Sequence, residues 1–434
     1  MIPVDEVRRR LDGIWRLEAA RITARVARVV RDLGLAEEFA QDALVAALEQ
    51  WPREGMPDSP VAWLTTTARR RAVDHIRHNQ MAADKSDAIA FELDFQHEAR
   101  SEDAAARVDD ALDDEIGDDL LRLMFTACHP LLSPDARCAL TLKVMGGLTT
   151  DEIARAYLKP EATIAQRIVR AKRSLAAARV PFEVPRGEAL RERLASVLEV
   201  IYLIFNEGYA ATSGEDWMRP SLSFEALRLG RVLAALMPRE GEVQGLVALM
   251  EIQASRFAAR VAPDGTPVLL MDQDRSRWDP LLIQRGLEAL LRADTAPGPP
   301  GAYALQAAIA ACHARARRGE DTDWQAIATL YDLLAQVAPS PVVTLNRAVA
   351  VGMAFGAAAG LELVDALSDE PALAGYHLLP CVRGDLLARL ERHDEARDEF
   401  ERAAAMTRNG RERALLLARA AVCDAPRTTG PMRD

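Results

Sequence analysis

Along almost the whole chain, apolar positions recur at helical spacing, and no convincing alternating run predicts a strand. Ile22, Val26, Val29, Val30 and Leu33 form one apolar stripe, with Gly34 expected to end that helix as a C-terminal cap. A second helix over about residues 37–51 is predicted to stop at Pro52, and a turn-rich run follows to Pro60. A third helix, about 61–79, buries Leu64, Ala68, Ala72 and Ile76. A second small helical unit runs from about 120 to 179, before Pro181 and Pro185 break the chain. Leu190, Leu194, Val197, Leu198, Ile201 and Phe205 open a third region with another long amphipathic helix. Ala296-Pro297-Gly298-Pro299-Pro300-Gly301 predicts a further boundary, beyond which helical pairs recur. The expected fold class is all-α.

Composition agrees. Aromatic residues are only 5% of 434, while Ala, Leu and Arg recur throughout and lose little rotamer freedom in helices. No apolar run is long enough to span a bilayer, and residues 1–10 lack a signal-peptide core, so a cytoplasmic protein without membrane association is expected. Cys128, Cys138, Cys312, Cys381 and Cys423 form no C-x-x-C pair. Cys128-His129 with Cys138 is a conceivable ligand set, but buried core thiols are the better reading, and no metal or cofactor is expected.

Charge changes the picture more. Residues 84–119 hold fourteen acidic and three basic residues, so this segment alone carries the net −11 and the remainder is neutral overall. It reads as an acidic linker, and basic faces elsewhere remain able to attract phosphate.

One such face follows a helix-turn-helix pattern. Leu148-Thr149-Thr150-Asp151-Glu152-Ile153-Ala154 opens a short helix that Thr149 or Thr150 can cap, with Glu152 nearby to complement its dipole. After a turn, Ile164, Ile168, Ala171 and Leu175 would pack inward, while Thr163, Gln166, Arg167, Arg170 and Arg173 point away. Residues 162–180 hold five bases, Lys172 among them, and no acid. That suits a recognition helix, in which Gln and Arg reach base edges and flanking cations neutralise phosphates. A second basic helix carries Trp63, Thr66, Arg69, Arg70, Arg71, Asp74 and Arg77. An ion-pair ladder of Arg70, Asp74 and Arg77 explains Asp74 well, but not three consecutive arginines.

The run Pro60-Val61-Ala62-Trp63-Leu64 through Ala72-Val73-Asp74-His75-Ile76-Arg77, with Leu35-Ala36-Glu37-Glu38-Phe39-Ala40-Gln41-Asp42-Ala43-Leu44 upstream, resembles region 2 of extracytoplasmic-function sigma factors. The helix-turn-helix resembles their region 4. The C-terminal half, with Asn206-Glu207-Gly208-Tyr209 and the run 272–279, looks like the branch that carries a long tetratricopeptide-containing extension. The resemblance implies a region 2 domain over 1–83, an acidic linker over 84–118, region 4 over 119–182, a helical extension domain over 188–295 and tetratricopeptide-like repeats over 301–425. It implies that Glu38, Gln41, Asp42, Val45 and Glu49 contact the β′ clamp helices of core RNA polymerase, with the β flap as a further polymerase partner. The basic helix with Trp63 would open the −10 element and hold an unpaired base, and the helix from Ala162 would read the −35 element in double-stranded promoter DNA. Two positions depart from the family's pattern: Arg70 stands where many relatives have Asn, and Leu158 replaces the common turn glycine.

In the last helical pair, Gly384, Ala396, Phe400 and Ala403 occupy the small and aromatic positions of a tetratricopeptide repeat. Ala359, Leu363 and Ala366 hold the corresponding positions of the preceding pair, offset by 37 residues. Relatives of this branch are thought to be controlled by the extension, which implies a protein or small-ligand partner for it. Asp272, Asp274, Arg275 and Arg277 form either a regulatory latch or ligand site, or helix caps and ion pairs. A one-component activator would leave residues 37–77 without a purpose. An enzyme using Asp272, Asp274, His313 or Glu251 would lack any phosphate loop, metal-spaced cluster or nucleophile elbow.

Overall fold

The computed structural model describes residues 4–83, 119–157, 159–211 and 216–423. The expected acidic linker and the departure at Leu158 lie outside the described residues. Among the described residues there is no β-strand, only an isolated antiparallel bridge between Val261 and Pro267. The chain divides into two compact units, Met1–Leu203 and Ile204–Asp434.

The first unit begins with α1 (Val4–Val30), α2 (Leu33–Glu54) and α3 (Pro60–Ala83), which pack pairwise around Leu11, Ile22, Val26, Trp51 and Leu64. The chain reverses between α1 and α2 at Arg31, whose φ of 53° lies in the left-handed region. Asp32 then caps α2 at once, accepting from the Leu35 amide at 2.9 Å. Gly34 is therefore not the cap of α1, as its spacing predicted. It sits in the first turn of α2, where a Cβ would come within 3.1 Å of Asp32 Oδ1. Pro52 does not stop α2 either: the helix runs on to Glu54, because buried Trp51, edge-on to Trp63 at 5.4 Å, anchors its last turn.

The same unit continues with α4 (residues 119–127), α5 (Pro134–Val144), α6 (Thr150–Ala156) and α7 (Glu161–Ala177). Helix α7 packs on α5 and α6 through Ile164, Ile168, Ala171 and Leu175, all buried as their spacing predicted. The long α8 (Gly187–Tyr209) is tied into this group at its N-terminal half. Arg193 donates to the Phe125 carbonyl at 2.6 Å, Ser196 to the Cys128 carbonyl at 2.5 Å, and buried Arg137 to Ser196. Arg137 also pairs with Glu199 at 2.9 Å.

The second unit holds α9 (Pro220–Leu236), α10 (Gly241–Ala254), α11 (Pro280–Thr295), α12 (Ala302–Arg315), α13 (Trp324–Val337), α14 (Pro341–Phe355), α15 (Ala357–Asp365), α16 (Leu378–Arg389), α17 (His393–Met406) and α18 (Gly410–Cys423). From α9 onward each helix packs on the next, the pattern of stacked hairpins. The Pro- and Gly-rich run 296–301 is a turn within this stack rather than a gap in it. Helix α12 crosses α10 so closely that a Cβ on Gly245 would meet the Ala304 backbone at 2.5 Å. Glu242 of α10 accepts from the Tyr303 and Ala304 amides, giving α12 its cap from another helix. In the last hairpin Gly384 faces the Phe400 ring, with Ala396 and Ala403 buried beside it, as the repeat pattern implied. In the preceding pair the buried positions are Gly360, Leu361 and Val364, while Ala366 is exposed. The shift follows from a contact at which Gly360 approaches Gly352 of α14 too closely for any side chain.

Gly384→Val drives a branched side chain into Phe400 and should destabilise the second unit by about 1–3 kcal/mol, read as a lowered denaturant midpoint. Burial raises the Cys128 thiol to about 11 and the Cys138 thiol to about 12. Both should resist alkylation at pH 8 in the folded protein and react once it is unfolded, which mass spectrometry resolves.

Candidate nucleic-acid interface

The capping box at Thr149 sets the geometry of the helix-turn-helix. Its hydroxyl accepts from the Glu152 amide at 3.1 Å while Glu152 accepts from the Thr149 amide at 2.8 Å. Thr149, not Thr150, is the cap. The turn into α7 leaves Thr163, Gln166, Arg170 and Arg173 exposed on its outer face, and Arg170 and Arg173 make no ion pair among the described residues. Arg167 and Lys172 stand differently. Arg167 is only a quarter exposed and pairs with Asp135 at 3.0 Å. Lys172 binds the carboxylate of Glu37 on α2, which is 4% exposed and also faces Lys143 at 3.8 Å. Exposed Val169 adds an apolar contact to this face.

Sequence reasoning missed Glu37, marking it only as a helix start. The available signal was its position in the inward stripe of α2, four residues after Leu33 and three before Ala40. An acid there requires a cation from a neighbouring element.

On α3, Thr66, Arg70 and Arg77 are exposed and Arg69 is half-buried. No ion pair joins Arg70 to Asp74, so the ladder anticipated there is absent. Arg71 instead reaches across to Asp42 of α2 at 3.0 Å. Trp63 is half-buried against Trp51, so part of its ring belongs to the core. On α2, Glu38, Gln41, Val45 and Glu49 form one exposed stripe, with Gln41 donating to Glu37 at 2.7 Å and Asp42 half-buried beside it. A surface carrying Val45 at 52% exposure among polar neighbours has the mixed character of a protein interface.

The cluster at 272–277 resolves into separate roles. Asp274 accepts from the amide and hydroxyl of Ser276, forming a local turn. Arg275 donates to the carbonyls of His313 and Ala316 and to Thr322, tying the end of α12 to the following loop. Asp272 and Arg277 are exposed. Glu251 is buried in a two-pronged pair with Arg231, at 2.8 and 2.9 Å.

The sequence matches sigma-70 region 2 over residues 15–81, sigma-70 region 4 over 122–175, and a family of unknown function (DUF6596) over 193–294. An uncharacterized protein of Rhizobium meliloti is 44% identical over 390 residues, 90% of each chain. The ECF RNA polymerase sigma factor SigK of Mycobacterium ulcerans is 32% identical over 160 residues, 36% of this chain and 78% of that one. SigK of Mycobacterium tuberculosis is 34% identical over 165 residues, again 36% and 78%. No solved structure matches the chain. The chain belongs to the ECF RNA polymerase sigma factors, with a long helical C-terminal extension. Its partners are accordingly core RNA polymerase and promoter DNA. None of the described helices is long and apolar enough to cross a membrane.

Replacing Glu37 by Gln leaves two lysines facing a neutral group. It should lower the stability of the first unit by about 1–3 kcal/mol, measured by urea unfolding.

Proposed function

We propose that this sigma factor reads the −35 element with the outer face of α7. Thr163, Gln166, Arg170 and Arg173 approach base edges and phosphates, and Arg167 and Lys172 join them by exchanging their carboxylate partners for DNA. The observation that carries this reading is a helix held by a capped turn whose outer face, from Thr163 to Arg173, bears arginines and no acid. Duplex DNA in the major groove offers phosphates and guanine acceptors to such a face.

In the same reading, α3 works on the −10 element. Thr66, Arg69, Arg70 and Arg77 meet the unpaired strand, Arg71 is held ready by Asp42, and the exposed part of Trp63 supports an unstacked base. Unstacking costs a few kcal/mol, which aromatic and cationic contacts offset. The stripe Glu38, Gln41, Val45 and Glu49, with Asp42 at its edge, docks on the β′ clamp helices, and the region 4 unit meets the β flap. The limits implied for the region 2 domain, the acidic linker and the region 4 domain remain part of this proposal. So does control of activity by the extension, acting in place of a separate inhibitor. Within it Asp274 holds a local turn, the Nη atoms of Arg275 tie the end of α12 while its Nε is left without a partner, and Asp272 and Arg277 remain available for a partner.

Run-off transcription with purified core enzyme tests the reading against a one-component activator. Promoter-specific product without any other sigma factor is expected, and its absence under all conditions favours the activator. Arg170→Ala with Arg173→Ala should weaken promoter affinity by about 1–3 kcal/mol for each arginine that reads a base edge. It should also reduce the slope of log K against log salt by about two, measured by fluorescence anisotropy.

A further inference from the structure

The second unit contains a group of cations that neither the promoter nor the polymerase contacts explain. Arg256 and Arg260 flank a short 3-10 turn, Phe257–Ala259, and Arg275 opens another, Arg275–Arg277. They interleave with aromatic rings. The Arg260 guanidinium lies 3.5 Å from the centre of the Tyr209 ring, and Arg256 lies 5.9 Å from Tyr209 and 5.4 Å from Trp278. Arg275 lies 5.1 Å from the same Trp278 ring. Arg260 is 5% exposed and forms the floor, while Arg256 and Arg275 are half-buried and reach solvent.

Three positive charges this close are ordinarily neutralised by acids. Here no carboxylate pairs with any of them among the described residues. Beyond burial, Arg256 lowers both Arg260 and Arg275, and the Asp321 carboxylate raises Arg275 only in part against this. Burial pushes Arg260 down to about 10, with Arg256 contributing, and burial likewise lowers Arg275, again with help from Arg256. His313 is pushed down to about 4 by burial and by Arg256 and Arg275, so it stays neutral and adds no fourth charge.

Hydrogen bonding points the same way. Arg256 Nε, Arg260 Nη1, Arg275 Nε and the indole nitrogens of Trp217 and Trp278 are buried with no acceptor among the described residues, while the Nη atoms of Arg275 are held by the His313 and Ala316 carbonyls and Thr322. Most such donors in native structures have a partner. Cation–π contacts with Tyr209 and Trp278 hold the guanidinium planes in place, and the Tyr209 hydroxyl accepts a hydrogen bond from Arg260, yet these rings supply no net negative charge. A carboxylate brings two oxygens and a single charge. A phosphoryl group brings three or four oxygens and up to two charges near neutral pH, which matches three guanidiniums and two indole donors better.

We infer that Arg256, Arg260 and Arg275, walled by Tyr209, Trp217 and Trp278, form a phosphate-binding site in the extension, taking either free phosphate or the phosphoryl group of a small metabolite. This site is independent of the promoter contacts, and its test does not involve transcription. The full chain is titrated with inorganic phosphate and, separately, with glycerol phosphate, each against chloride at matched ionic strength. Calorimetric binding and thermal unfolding are both followed. Saturable binding of inorganic phosphate with a rise in the unfolding midpoint is expected. Binding of the ester as well extends the site to phosphorylated metabolites, and binding of the ester alone makes them its source. Arg256→Gln, at the mouth, gives up a 3.3 Å bond to Gln253 and the ring contacts to Tyr209 and Trp278, and should weaken binding at least tenfold. Exposed Arg277→Gln should leave it unchanged. Absence of saturable binding by either probe overturns the proposal, as does equal binding by the Arg256→Gln protein; a purely structural stack of rings and cations gives one of these results.

Discussion

A carboxylate withdrawn from water, with its counter-charges supplied by other helices, is the constraint around which the first unit is organised. Glu37 on α2 is almost fully buried, and its neutralising lysines come from α5 and α7. Desolvating such a group is costly unless partners stand ready, and removal of one partner leaves the charge stranded. The helices that carry the region 2 match and those that carry the region 4 match are therefore linked by electrostatics rather than by apolar area alone. One of the lysines belongs to the recognition helix itself, so the cation that steadies the packed chain is also one suited to a phosphate.

The positions of most helices were legible from the sequence because apolar spacing and turn chemistry agreed. The four inward residues of α7 and the cap at Thr149 fall where a 3.6-residue period and a Thr-x-x-Glu pattern put them. Legibility failed where an outcome depended on distant partners. Gly34 looks like a cap until Asp32, two residues earlier, starts the next helix. The Pro- and Gly-rich run at 296–301 looks like a boundary until Gly245 and Ala304 are seen to touch. At the candidate interfaces, residue type and exposure were readable for Arg170 and Arg173. The ties of Arg167 to Asp135, Lys172 to Glu37 and Arg71 to Asp42 were not, because each partner lies on another helix.

The extension follows a different design. Its helices interlock through small residues that admit close approach: Gly245 under Ala304, Gly286 against Ile252, Gly352 beside Gly360, and Gly384 under Phe400. Polar side chains then complete helix ends across the stack, as Glu242 does for α12. In a repeat-like array each helix depends chiefly on its neighbours, so local changes travel along the stack by contact. The arginine and tryptophan cluster departs from this economy of small residues, concentrating bulk and charge near Tyr209 and Trp278.

Helix α8 carries the start of the DUF6596 match into the region 4 unit. Arg193 and Ser196 grip carbonyls of the region 4 unit, and the DUF6596 match begins at residue 193 itself. The DUF6596 match thus opens on residues already bonded to the region 4 unit, beyond the prolines at 181 and 185. Its opening helix has become part of the scaffold beneath the DNA-reading element, so a splice at those prolines would remove a support as well as an appendage.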